Sequence, residues 1–489
     1  NMKKLAVIVP FNEKLIENFT DHFGAVVKQE GFYYKIFFIK QKSNRPLNKG
    51  KLFNIGFSLV KDKFDYFCFH DIDFIPISNF EYEPNDQPIC LYEKVLPMEF
   101  GEHDSLDNFE DFDIISDSHF GGAVLFDKTQ YKNINGYSND YWGIGYEDRD
   151  LLVRMITRGF RLRSVLDKPI RKSYCDFNGM TSYGEIKITN NKLAKTTSQS
   201  FSMSLWFNIS KVPPHSDQVD NNRCEYFLLG RPGYHSGLSI THEGRIKAAI
   251  WDEDKEKAFI VQSKPVTLGK WIHCGISIDM EEGKMRLYVD GQNVSFSDLP
   301  MKLMDYLTKP YYLGVGHPTA SSWKNFTNGS IADVGIWDNS LTEDEFSKIY
   351  TDGITNKDGK FLTSNIPIVY YSFDCGYDKL IFDMSGNNNH LECHNVITGK
   401  KFVKTSTERY LPYRRNGYFA YIGDINDLKN LKYLEDSSHP EVMSNRNIFN
   451  KKLNNFEKNL QKDGLSSTRF RIVNRENFKD KHEIIEVVI

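Results

Sequence analysis

The chain reads as an α/β domain on a parallel sheet, interrupted in mid-course by an all-β sandwich and resumed at its end. Three observations predict this. Up to about residue 183, apolar strand-like runs alternate with stretches of helical spacing, the pattern of right-handed crossovers. From 184 to about 404, short period-two runs follow one another between turn residues with no helical spacing, as in an antiparallel sandwich. Residues 405–489 regain mixed character but hold too little apolar material to fold alone, so they are read as the second part of the first domain.

In order, LAVIVP (5–10) is suited to a buried parallel strand, and Leu15, Phe19, Phe23 and Val27 space a helix over 13–29. YYKIFFI (33–39) and FDYFCF (64–69) read as strands, with KLFNIGFSLV (51–60) as the helix between them. The sandwich strands are FSMSLWFNI (201–209), WIHCGISID (271–279), KMRLYVDGQNV (284–294) and GSIADVGIWD (329–338), among others. After it come a helical NIFNKKLNNFEKNLQKDG (447–464) and a final strand-like IIEVVI.

Composition narrows the function. At 489 residues the chain exceeds one ordinary core, and 40% apolar with 14% aromatic residues can fill more than one. Sixty-two basic residues against 65 acidic leave a net charge of −3, which argues against a general nucleic-acid binder. Seven cysteines, an odd number without a CxxC pair, fit reduced and mostly buried thiols. No run approaches the ~18 apolar residues of a membrane span, and none has the form of a signal peptide. The expectation is a protein of the cytoplasm with no membrane span.

The chemistry is signalled by HDIDFIP (70–76), where an apolar run delivers Asp71 and Asp73 to the end of a strand. Carboxylates at i and i+2 leave a strand on one side, a clamp for a divalent cation that carries a diphosphate; the bland alternative is a hydrated turn. Ligands of such sheets collect at the carboxyl ends of strands. The second landmark, YWGIGYEDRD (141–150), leads into the amphipathic LLVRMITRGF. Asp148 would stand in the first turn of a helix beginning near Glu147, where the helix dipole favours the ionised carboxylate of a general base; the alternative is simple capping.

With PFNEK (10–14), LNKGKLFNIGF (47–57), FHDIDFIP (69–76), HFGGAVLFDKTQYKNINGYSNDYWGIGYEDRD (119–150), SHPEV and DGLSSTRFRIV (463–473), the two outer blocks resemble the beta-1,4-galactosyltransferase family, inverting enzymes of the GT-A fold. The resemblance implies a Mn2+-dependent (or Mg2+-dependent) hexosyltransferase that moves galactose or N-acetylgalactosamine from a UDP-sugar to a glycan hydroxyl, with a beta-1,4 linkage. It implies Asp73 as metal ligand, with Asp71 supporting the nucleotide, and His439 as a later metal ligand; three residues before it, where the family offers methionine, this chain has Asp436, whose harder carboxylate would suit Mn2+ or Mg2+ as a further ligand. It implies Asp148 as the base, with Glu147 structural or donor-contacting. Pro10, Phe11, Lys14, Asn48 and Lys49 fall where the family cradles uracil and phosphates, with lysine for arginine at two of them. Gly121 and Gly122 lie in the donor-side FGG. Trp142 and Gly145, with Gly143, read as a segment that orders over bound donor, or as a Trp anchoring a loop. His119 replaces a tyrosine that goes with galactose, which leaves the donor sugar open. Ile144 and Arg149 replace the Trp and Asp that grip N-acetylglucosamine, and Arg149 suggests an acidic or phosphorylated acceptor sugar, or else a surface ion pair.

The insert resembles laminin G-like, concanavalin-type jelly rolls through SMSLWFNI, MRLYVDG, ADVGIWDNSLTEDEF and DMSGNNNH. Trp206, Trp251, Trp271 and Trp337 are expected mainly in its core. Asp383, Asn387, Asn388 and Asn389 could hold Ca2+ or form a polar turn. The leading reading is an enzyme of surface polysaccharide synthesis whose insert holds acceptor chains. The alternatives are a carbohydrate-binding protein on an inactive transferase scaffold, and a sandwich that only mediates homo-oligomer formation.

Overall fold

The computed structural model describes residues 2–10, 16–26, 32–76, 86–91, 94–97, 120–160, 163–164, 174–187, 193, 199–215, 224–231, 236–252, 257–299, 310–319, 324–356, 359–373, 376–377, 379–395, 410–411, 413–414, 418–421, 437–478 and 481–489. It divides into two compact units, Asn1–Phe160 with Leu411–Ile489, and Arg161–Tyr410. The junctions expected at 183/184 and 404/405 are thus placed at 160/161 and 410/411. The reason for the first shift is that Cys175–Asn178, too short to signal a strand, pairs with Asn328–Trp337 inside the sandwich.

The first unit is an α/β domain. Its sheet has the parallel centre expected of the leading elements: β1 (Lys3–Pro10) lies between β2 (Phe32–Gln41) and β3 (Tyr66–His70) and is parallel to both. His482–Val488 joins the far side of β2 in parallel, so the end of the chain completes the sheet that its beginning starts. Antiparallel pairs flank that centre, Ala123–Asp127 against β3 and Arg471–Asn477 against His482–Val488. Six successive residues of β1, Leu5 to Pro10, are buried, as a strand covered on both faces must be.

Helix α1 (Ile16–Val26) is shorter than the 13–29 predicted, and α2 (Lys49–Val60) starts two residues early because Asn48 caps it. Next come α3 (Lys128–Asn133), opened by an Asp127/Gln130 capping box, and α4 (Glu147–Thr157), which begins where the sequence placed it. The predicted 447–464 helix is two helices, Pro440–Leu453 and Phe456–Lys462, separated at Asn454 and Asn455.

The second unit is a sandwich of a nine-stranded and a seven-stranded sheet. Met203, Leu205, Ile240, Ile276, Leu287, Val334 and Leu391 interdigitate in its core. KMRLYVDGQNV proves to be two strands, Lys284–Val289 and Gln292–Asp298, turning at Asp290 and Gly291. The strands are as read, but a helix was not foreseen: Glu343–Asp352, capped by Thr342 and Glu345, packs Phe346 and Ile349 with Trp337 and Tyr288. Trp206 and Trp337 are fully buried, as expected, whereas Trp251 and Trp271 are only partly so.

Candidate active site

The carboxyl end of β3 faces the first turns of α2 and α4, and four motif residues meet there. Lys49 Nζ lies 3.0 Å from Asp71 Oδ2, 2.9 Å from Glu147 Oε1 and 3.1 Å from Asp148 Oδ2. The four side chains are 9–15% exposed. Three carboxylates against one ammonium leave this pocket with an excess of negative charge where water screens it poorly.

Each member is placed by a local device. Asn48 caps α2 by accepting from Lys51 N at 2.9 Å and donates to Asn139 O at 2.8 Å, which turns Lys49 into the pocket. Asn48 is therefore 0% exposed, a scaffold residue and not an open wall of the nucleotide cradle. Asp71 donates its backbone N–H to Gly122 O at 2.7 Å, which ties the strand end to the FGG turn. A Cβ on Gly121 would come within 2.2 Å of Asp148 Cγ and Oδ2, so the absence of a side chain at 121 is what lets that carboxylate sit there. The Tyr137 hydroxyl stands 3.5 Å from Asp148 Oδ1.

The electrostatics follow from this crowding. Burial works against the Lys49 ammonium, but Asp148, Asp71 and Glu147 outweigh it and hold its pKa well above the usual lysine range. Burial pushes the Asp71 carboxyl well up, with Asp148 and Asp73 adding to the push and Lys49 opposing it. His70, fully buried against Phe19 and Phe23, is lowered to about 4 by burial and stays neutral.

The residues fit a divalent cation in donor chemistry: Asp71 Oδ1 and Glu147 Oε2 are buried acceptors with no hydrogen-bond partner, and Asp73 lies two residues on. Among the described residues no group of three or more His, Cys, Asp or Glu side chains could hold a metal ion. His439 is the exposed first cap of Pro440–Leu453, where its carbonyl accepts from Met443 N. Phe11, Lys14, His119 and Asp436 lie outside the described residues. Pro10 is buried at the end of β1.

The 142–146 segment is held by contacts that the sequence did not signal. Gly143, Gly145 and Tyr146 all have positive φ, of 77°, 92° and 75°. Asn445 Nδ2 donates to Trp142 O, Ile144 O and Gly145 O at 3.0–3.2 Å, and Ile144 N donates to Glu441 Oε2 at 3.1 Å. The Arg45 guanidinium lies 3.5 Å over the Trp142 ring, and Arg149 lies 5.7 Å over Tyr146. In this state the segment is pinned to a helix from the far end of the chain, where the sequence suggested glycine hinges.

Family models match along the same stretches. Residues 1–83 match the N-terminal region of glycosyl transferase group 7, 106–175 match a galactosyltransferase domain, and 180–347 match the concanavalin A-like lectin/glucanase superfamily. Over the first two of these stretches the chain is similar to the beta-1,4-galactosyltransferases. It is 30% identical over 167 residues to Drosophila melanogaster beta-1,4-galactosyltransferase 7, covering 33% of this chain and 48% of that protein. To human beta-1,4-galactosyltransferase 1 it is 30% identical over 164 residues, 32% of this chain and 38% of the relative. The chain thus spans about half the length, or less, of the curated relatives it matches. The crystal structure of the catalytic domain of the Drosophila enzyme with xylobiose is 31% identical over 31% of this chain and 60% of that one, with a TM-score of 0.26. A SAP-like pentraxin from Limulus polyphemus is 11% identical over 37% of this chain and 83% of that one, with a TM-score of 0.29. The architecture is therefore an α/β glycosyltransferase-like domain interrupted by a concanavalin-like all-β domain.

In the insert, the Asp383 carboxylate is fully buried and engaged by four donors: Tyr370 N, Ser385 N, Ser385 Oγ and Asn389 N at 2.9–3.0 Å. That is the polar-turn arrangement of the two weighed for this cluster.

Proposed function

We propose that the α/β unit is an inverting, metal-dependent glycosyltransferase that moves galactose or N-acetylgalactosamine from a UDP-sugar to a glycan hydroxyl in beta-1,4 linkage. The observation that carries this is the convergence of Asp71, Glu147 and Asp148 on Lys49 at the carboxyl ends of the sheet. Asp148 takes the proton of the acceptor hydroxyl as that oxygen bonds to the anomeric carbon. The bond from that carbon to the diphosphate oxygen breaks on the opposite face, and its electron pair leaves with UDP. Lys49 fixes the orientation of Asp148 and offsets its charge; Glu147 braces Lys49 from the side. A divalent cation held by Asp73, with Asp71 behind it and His439 and Asp436 from the resumed chain, would supply electrostatic stabilisation of the leaving diphosphate. Arg149 favours an acidic group on the acceptor near Tyr146.

The same reading places the enzyme in the cytoplasm, in the synthesis of surface polysaccharide; the six described cysteines, all free and buried, support the compartment. UDP release measured across UDP-sugars with Mn2+, with and without EDTA, tests donor and metal together. Asp148→Asn should abolish turnover and leave UDP binding intact; undiminished turnover would remove Asp148 from the role of base. A second reading, a carbohydrate-binding protein on an inactive scaffold, is favoured by Ile144 and Arg149, which depart from the acceptor-gripping residues of the galactosyltransferases, and by the size of the concanavalin-like insert. Calorimetry that found no Mn2+-dependent UDP binding would select it.

A further inference from the structure

Tyr137 stands beside the reacting carboxylate in a place that packing alone does not explain. The residue is 1% exposed and its ring lies between those of Phe53 and Phe69, with centroids 5.0 and 6.0 Å away. Asn54 clamps its backbone from both sides: Asn54 Oδ1 accepts from Tyr137 N at 3.0 Å, and Asn54 Nδ2 donates to Tyr137 O at 2.8 Å. A Cβ on Gly50 would come within 3.1 Å of Tyr137 Cβ, so α2 lies directly against the residue. A phenylalanine would fill this space equally well. Burying a hydroxyl costs free energy unless it donates, so the phenol oxygen must have a partner that the ring does not need.

That partner is Asp148. The Tyr137 hydroxyl donates to Asp148 Oδ1 at 3.5 Å, while Lys49 Nζ donates to Oδ2 at 3.1 Å. The first contact is long, as contacts to a base commonly are before substrate arrives. Burial, and then the charge of Asp148, pushes the Tyr137 phenol well above the usual tyrosine range, so it remains a hydroxyl donor. Lys49 is a shared grip, because its one ammonium also serves Asp71 and Glu147. The last torsion of an aspartate is broad and nearly two-fold, so a carboxylate held at one oxygen swings about that oxygen. A second donor on the other oxygen sets its plane.

We infer that Tyr137 is a positioning residue for sugar transfer, its hydroxyl fixing the plane in which the Asp148 carboxylate meets the acceptor hydroxyl. This rests on the reading of Asp148 as the base. The test compares Tyr137→Phe with the parent as full chains, with Mn2+ and either UDP-galactose or UDP-N-acetylgalactosamine as donor. Loss of one hydrogen bond to a charged group should lower kcat about tenfold, with donor KM and calorimetric UDP affinity within about twofold and the melting temperature near the parent's. The solvent deuterium isotope effect on kcat should rise, because proton transfer to a misaimed base becomes slower. A purely structural role would not raise it. Crystal structures of the two proteins give a readout that needs no turnover: the Asp148 carboxylate should hold one orientation in the parent and turn or split in the variant. A parental kcat in Tyr137→Phe beside an inactive Asp148→Asn, a loss confined to donor KM, or an unmoved Asp148 carboxylate in the variant would overturn the inference. If Asp148→Asn turns over like the parent, the base reading fails instead, and the two crystal structures still decide whether Tyr137 holds that carboxylate.

Discussion

Gly121→Ala perturbs the base without removing any functional group. Gly121 is not in the left-handed region, so alanine brings no backbone strain. Its Cβ would lie 2.2 Å from Asp148 Cγ and Oδ2, and 2.6 Å from Oδ1. Ordinary contact needs about 3.5 Å, so the carboxylate must retreat by roughly 1.3 Å, breaking its contact with Lys49. A misplacement of about 1 Å at a reacting group costs on the order of 100-fold in rate, and overpacking costs ~1–3 kcal/mol of stability. UDP release by the variant should therefore fall about 100-fold in kcat while calorimetry shows UDP binding within a few-fold of the parent. Gly24→Ala is the control, because its Cβ meets only Tyr34 Oη at 3.7 Å. A Gly121→Ala protein with wild-type kcat, beside an inactive Asp148→Asn protein, would refute the claim that the placement of this carboxylate governs the rate.

Lys49→Gln leaves three poorly solvated carboxylates without their shared cation; thermal melts should fall by an amount equivalent to ~3 kcal/mol and turnover by about 100-fold, with partial recovery in Lys49→Arg. Asn445→Ala removes three hydrogen bonds to the carbonyls of 142–145, so limited proteolysis should cut there faster and the donor KM should rise. In the sandwich, Asp333 is buried with one oxygen unpartnered, and burial raises its pKa to about 6 despite bonds from Tyr370 and Ile354. A carboxyl that holds its proton more tightly folded than unfolded destabilises progressively from about pH 4 to pH 6 and fully above it, by roughly 3 kcal/mol. Asp333→Asn should therefore match the parent's melting temperature near pH 4 and exceed it at pH 8; parallel melting profiles at both pH values would contradict this.

The sheet was legible because its strands are buried on both faces and so read as unbroken apolar runs, Leu5 to Pro10 being the plainest. Asp71, Glu147 and Asp148 were legible for a similar reason: each closes a strand or opens a helix whose pattern is strong. Other features carried too little periodicity. The helix Glu343–Asp352 buries only Phe346 and Ile349, and its one clear signal is the capping box of Thr342 and Glu345, a few residues beyond the strand that ends at Trp337. Cys175–Asn178 is four residues long, and only its register with Asn328–Trp337 marks it as sandwich.

What supports the site was hidden by sequence distance. Arg154, fully buried on α4, pairs with Asp150 one turn back, a spacing visible in the sequence, but also with Asp463, 309 residues away. Asp463 Oδ1 accepts from Asn139 N, and its Oδ2 from Ser138 Oγ and from Lys452, which in turn reaches Asp140. Burial opposes the Asp463 charge, yet Lys452 and Arg154 hold its pKa below the usual carboxylate range. Such a set is costly to desolvate and tolerable only when every charge finds its partner, so it contributes less to stability than to register. A resumed chain displaced by one position would leave two cations buried without their acid. The network therefore fixes how the segment after the insert returns to α4, and with it the first turn that presents Glu147 and Asp148 to Lys49.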